Sequence, residues 1–160
     1  MPGYKGHLVG GIVAFCILFV VAMGINPSYY TAGEWLLCTL AGALFPDIDV
    51  KSKGQKYFYY VVLAGLVFLV MQREFEVLTC FSFIVITPML VRHRGIFHSP
   101  RFIIIMPLMV WIMIAIAFPS TAQPLFFDTM FFIAGAFSHL WLDFGTRQMM
   151  YKLTYRKKKW

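Results

Sequence analysis

Six long, mainly apolar stretches run along the chain, separated by short polar segments. The first is His7 to Met23, closed by Gly24 and Asn26-Pro27. The second is Tyr30 to Phe45 and stops at Pro46. The third is Tyr57 to Met71, the fourth Val77 to Val91 and the fifth Phe102 to Phe118. The sixth is Phe126 to Asp143, with Gly145 placed to end it. A membrane-spanning helix needs roughly 17–25 apolar residues. The pattern therefore predicts spanning helices, several of them near the short limit, where a helix tilts little or thins the bilayer locally. Asn26-Pro27-Ser28, Gln72-Arg73-Glu74 and Pro119 to Pro124 form one set of turns; Val50 to Lys56 and Arg92 to Pro100 form the other. Ser99-Pro100 reads as an N-cap followed by proline in the first turn. Pro88 and Pro107 fall inside spans, where a kink is expected. The expected architecture is an all-α integral membrane protein. It is a compact bundle of about six transmembrane helices, one domain over 1–160 with a short basic tail at 146–160.

Composition agrees. Hydrophobic residues make up 60% of the 160 positions and charged residues only 13%, against roughly 25% charged in soluble domains. No water-facing fold hides that much apolar surface, so a soluble globular domain, a disordered chain and a disulfide-stapled secreted domain are excluded. Cys16, Cys38 and Cys80 are odd in number and lie in apolar runs, so they are expected to be buried free thiols. Lys5 before an apolar core suggests a signal peptide, but no small-residue cleavage site follows, and the stretch is kept as an uncleaved helix.

The formal charge of +7 adds topology. Six spans place both termini and the two longer polar loops on one face. Of the 14 Lys and Arg residues, all but Arg73 fall there. Such a bias marks the cytoplasmic side. The tail Tyr155 to Trp160, with Arg156, Lys157, Lys158 and Lys159, suits anionic phospholipid headgroups. A nearby membrane would outcompete nucleic acid for these charges, so no nucleic-acid partner is expected.

The same face gathers the candidate chemistry. His7, His93, His98 and His139 all map to it, with Asp47, Asp49 and Asp143, while Glu34, Glu74, Glu76 and Asp128 lie toward the other face. His139 and Asp143 stand at i, i+4 on one helical face, with Gly135 a turn deeper. Gly10, Gly11 and Ala14 below His7 would let the first and sixth helices approach closely. Gly95 would let the Arg92 to Ser99 loop fold back. A lone interfacial histidine is usually a solvated anchor and a lone aspartate a helix-end residue, but ionisable groups clustered in a membrane protein mark function by default. Imidazoles with carboxylates suit Zn²⁺ first, and Mn²⁺ or Fe²⁺. Seven candidate ligands exceed the needs of one catalytic zinc, which leaves room for a second ion, orienting carboxylates or a general base.

The order Leu44-Phe45-Pro46-Asp47-Ile48-Asp49, His93-Arg94-Gly95-Ile96-Phe97-His98-Ser99 and Ser138-His139-Leu140-Trp141-Leu142-Asp143, behind His7, resembles the YdjM-like family of membrane-bound metal-dependent hydrolases, over nearly the whole chain. Phe97 stands where that family often has threonine. The resemblance implies a metal-dependent hydrolase in the bacterial cytoplasmic (inner) membrane. It supports His7, Asp47, Asp49, His93, His98, His139 and Asp143 as site residues.

The expected activity is hydrolysis at the cytoplasmic interface by a metal-activated water. Asp49 is expected as proton acceptor, and Arg92 and Arg94 as a hold on phosphate oxygen. A site at headgroup depth points to a lipid or lipid-linked phosphoester, with a carboxylic ester or amide second. The alternatives are a metal-ion transporter or sensor, for which mid-span polar residues are few, and a non-catalytic lipid-binding protein.

Overall fold

A computed structural model describes residues 3–49, 53–71, 73 and 98–154. The expected fourth span, Cys80, Pro88, Arg92, His93, Arg94 and the last six residues lie outside the described residues. The described residues are helical throughout, apart from short connections. Helix α1 is Tyr4–Ala22, α2 Tyr29–Leu44, α3 Lys53–Met71, α4 Pro100–Ala117 and α5 Ala122–Thr154. Short 3-10 turns, Met23–Ile25, Phe45–Asp49 and Pro119–Thr121, join or extend them.

Local chemistry explains the boundaries. Asn26 takes a left-handed conformation (φ 50°) and stops the first helical stretch. Ser28 then caps α2, its hydroxyl accepting from the Thr31 amide at 3.2 Å. Pro46 lacks an amide hydrogen, and α2 gives way there to the tighter turn Phe45–Asp49. Ser99 does occupy the N-cap of α4, but its side chain makes no cap bond; its carbonyl accepts from the Ile103 amide instead. Gly145 breaks α5 with φ 67° and ψ 168°, a conformation open to glycine. The chain then resumes a helix to Thr154, where the sequence suggested only a tail.

Among the described residues, three stretches are long and apolar enough to cross a bilayer, Tyr4–Ile25, Pro100–Ala117 and Pro119–Gly145, against the six expected from hydropathy. Helix α2 has 16 residues, about 24 Å at 1.5 Å per residue, short of a roughly 30 Å hydrocarbon core. Valines and isoleucines such as Val21 and Ile116 point outward, each more than three-quarters exposed. That is how an all-round apolar helix meets lipid. Cys16 is also exposed and Cys38 only partly covered, against the expectation of buried thiols. An apolar helix in lipid has no reason to turn a weakly polar thiol inward.

Lipid tails are as apolar as leucine, so helix association rests on close fit. The tightest crossing is α2 on α5. A side chain on Gly42 would strike the Phe132 backbone, and one on Gly135 the Thr39 backbone. Gly135 thus serves the second helix rather than the first. Gly10 does bring α1 onto α5, against Leu142 and Ser138, and Gly11 brings it onto α2 at Ala43. Beyond this crossing, Trp35 stacks on Phe131 with ring centres 4.7 Å apart, filling the end remote from the histidines.

Candidate metal centre

Four separate elements send a ligand-capable side chain to one point. His7 comes from the start of α1, Asp47 from the turn after α2, and His98 from just before α4. His139 and Asp143 come from successive turns of α5. His7 and His139 are almost wholly buried, at 2% and 0% exposure.

Four atoms form a closed ring. Asp47 Oδ1 lies 3.4 Å from His98 Nε2, which lies 3.7 Å from Asp143 Oδ2. Asp143 Oδ2 lies 3.3 Å from His139 Nε2, which returns to Asp47 Oδ1 at 3.6 Å. Charge-assisted hydrogen bonds between such groups run shorter, about 2.7–2.9 Å. A tetrahedral ion with bonds of about 2.0–2.2 Å places its ligand atoms about 3.3–3.6 Å apart. Three of the four edges fall in that range and the fourth, 3.7 Å, lies just above it. His7 approaches from outside it, with Nε2 3.6 Å from the other carboxylate oxygen of Asp143, Oδ1. Its ring stacks on His139, centres 3.7 Å apart.

The hydrogen-bond accounting points the same way. Three atoms at this centre, His7 Nδ1, His139 Nε2 and Asp143 Oδ1, are buried with no hydrogen-bond partner. Native structures rarely leave such groups unpaired. His139 Nδ1 does have a partner, the Ala43 carbonyl at 2.7 Å. A carbonyl only accepts, so Nδ1 carries the hydrogen and Nε2 presents a lone pair to the ring. An outer partner of this kind fixes ring orientation and tautomer in metal-binding histidines. The His98 imidazole beside Asp47 holds that carboxyl below the usual carboxylate range; His139 and His7 act in the same sense, while partial burial opposes them. An ionised carboxylate is the form that ligates a cation. Among the described residues, the sets His7, His139, Asp143 and Asp47, His98, His139 can each hold a metal ion.

Of the seven ligands expected from sequence, the structure brings five together: His7, Asp47, His98, His139 and Asp143. His93 lies outside the described residues, as do Arg92 and Arg94, and of Asp49 only the backbone is described. Two contributors escaped sequence reasoning. The Ala43 carbonyl orients His139, and a backbone oxygen carries no side-chain signal. Gly42, beside it, was readable only as another small residue in α2.

A family model described as YdjM inner membrane protein matches residues 1–152, which include every residue of this centre. No curated protein and no solved structure matches the chain.

Proposed function

The chain belongs to the YdjM inner membrane protein family, and from that premise we propose that it is a membrane-embedded metal-dependent hydrolase. The observation that carries the reading is the closed ring of Asp47, His98, Asp143 and His139 at ion-ligand spacing. Imidazole nitrogens and carboxylate oxygens favour Zn²⁺, with Mn²⁺ and Fe²⁺ as other fits. A divalent ion held there supplies an activated water and polarises the bond under attack. His98, His139, Asp47 and Asp143 would hold it. His7 faces the other oxygen of Asp143 at 3.6 Å and joins His139 and Asp143 as a second possible ligand set.

The remaining roles follow from sequence position. Asp49, two residues beyond Asp47, accepts a proton. Arg92 and Arg94 flank His93 and bind phosphate oxygens, a task suited to the guanidinium fork. With six spans, the bias of Lys and Arg to one face puts the centre and both termini in the cytoplasm. A centre at headgroup depth then favours a phosphoester of a membrane lipid or lipid-linked carrier over a carboxylic ester or amide. Anionic headgroups meet the basic tail. Hydrolysis is favoured over ion transport because mid-span polar residues are few along the sequence.

The test is elemental analysis of the purified protein beside release of water-soluble phosphate from phospholipid vesicles. About one or two divalent ions per chain, and turnover lost in His139→Ala and Asp143→Ala, is the expected result. Metal stoichiometry retained in both variants refutes the ligand assignment.

A further inference from the structure

A groove of about 240 Å³ opens on the outer surface between α1, α2 and α3, lined by Leu8, Leu40, Ala41, Leu44, Tyr57 and Phe58. Two further residues, Leu37 and Tyr60, form its outer edge and are 56% and 65% exposed, so it is open to the surrounding lipid. Its upper end adjoins the metal centre. Leu8 follows His7, and Leu44 lies three residues before Asp47. Lys5, one turn before Leu8, and Lys56, next to Tyr57, are exposed at that end. Tyr4 and Tyr57 stack across it, ring centres 5.5 Å apart, and tie α1 to α3.

Resting on the hydrolase reading, the geometry points to this groove as the seat of one fatty-acyl chain of an anionic phospholipid substrate, with its headgroup held between Lys5, Lys56 and the metal centre. Size and chemistry select the occupant. From Leu44 to Leu37 the α2 wall descends two turns, about 10 Å, or two thirds of a leaflet of about 15 Å. The lining is almost entirely apolar, so a free phosphate or a sugar finds no partners in it. The lysines at the upper end complement an anionic headgroup, and tyrosines at that level suit the membrane interface.

The test uses the full chain in nanodiscs and phosphatidylglycerol carrying a photoreactive diazirine in one acyl chain, with the phosphatidylcholine analogue beside it. Labelling is expected to concentrate on peptides containing Leu37 to Leu44 and Tyr57 to Tyr60, and to favour phosphatidylglycerol. Ala41→Trp fills the groove from within. Leu37→Trp fills its exposed lower end without disturbing the core, which covers the case in which the first variant fails to fold. Each excludes about two methylenes, and labelling there falls about tenfold. Ile17→Trp, on the outward face of α1, leaves it unchanged. Equal labelling of all outward apolar faces, or equal labelling by both lipids, overturns the inference. Cleavage of the same lipid by wild type and not by His139→Ala is scored separately. Groove labelling without cleavage therefore refutes the hydrolase reading, and cleavage with uniform labelling refutes the groove.

Discussion

Replacing Gly135 by alanine is expected to damage the metal centre without altering any ligand. A Cβ built on Gly135 falls 2.8 Å from the Thr39 carbonyl carbon and 2.9 Å from the Ala43 nitrogen, and closer still to the Thr39 oxygen. Relief requires α2 and α5 to part by about an ångström, because close-packed interiors do not absorb a methyl group in place. The same Ala43 presents the carbonyl that accepts from His139 Nδ1 at 2.7 Å. Moving it by that much stretches the bond beyond the usual limit of about 3.2 Å. Overpacking costs about 1–3 kcal/mol, and loss of an outer partner of a metal-binding histidine lowers affinity about 10–100-fold. The assay is zinc titration with a competing chelator, run with a thermal melt in detergent. Gly33→Ala is the control, since nothing lies within 4 Å of its added Cβ. If Gly135→Ala binds zinc within about twofold of that control, the carbonyl is not orienting His139 and the argument from helix crossing fails.

His7→Ala is expected to keep the ion held by Asp47, His98 and His139, because His7 belongs only to the set with His139 and Asp143, whereas His139→Ala, common to both sets, loses it; isothermal titration separates the two. Chelation is expected to lower the melting temperature in detergent, since it returns the buried His139 Nε2 to an unpartnered state. At free metal near 100 times Kd the bound ion contributes about 2.7 kcal/mol. An unchanged melting curve argues for a centre held by hydrogen bonds alone. Acidification from about pH 7.5 to about 5 is expected to release the ion, because ligands bind only when deprotonated; dialysis and elemental analysis read the loss. The sign for Asp47 agrees. Its carboxyl sits below the usual range, so its contribution is intact above the unfolded carboxylate range and fades only as pH falls below it.

Much of the helical layout was legible from hydropathy. The stretches His7 to Met23, Tyr30 to Phe45 and Phe102 to Phe118 each match a helix to within a few residues. Helix ends were legible where a backbone is unusually restricted or unusually free, as at Pro46 and Gly145. Ser99 was legible as the N-cap of α4, but not that its hydroxyl makes no cap bond, because that depends on where the hydroxyl turns. Cys16 was misread because apolar sequence does not say which face meets lipid. That Gly135 packs on α2 was not legible, since smallness permits a close approach without naming the partner.

Residue order along the chain determined that this protein lives in lipid, where its helices begin and end, and which side chains are able to ligate a cation. Those properties are local: each depends on the hydropathy or chemistry of a short run. Tertiary structure alone decided that His7, Asp47, His98, His139 and Asp143 meet, that Asp143 shares its two oxygens between His7 and the ring, and that the Ala43 carbonyl sets the His139 tautomer. The meeting depends on how closely α2 and α5 cross at Gly42 and Gly135, a distance set by contacts between residues some 90 positions apart.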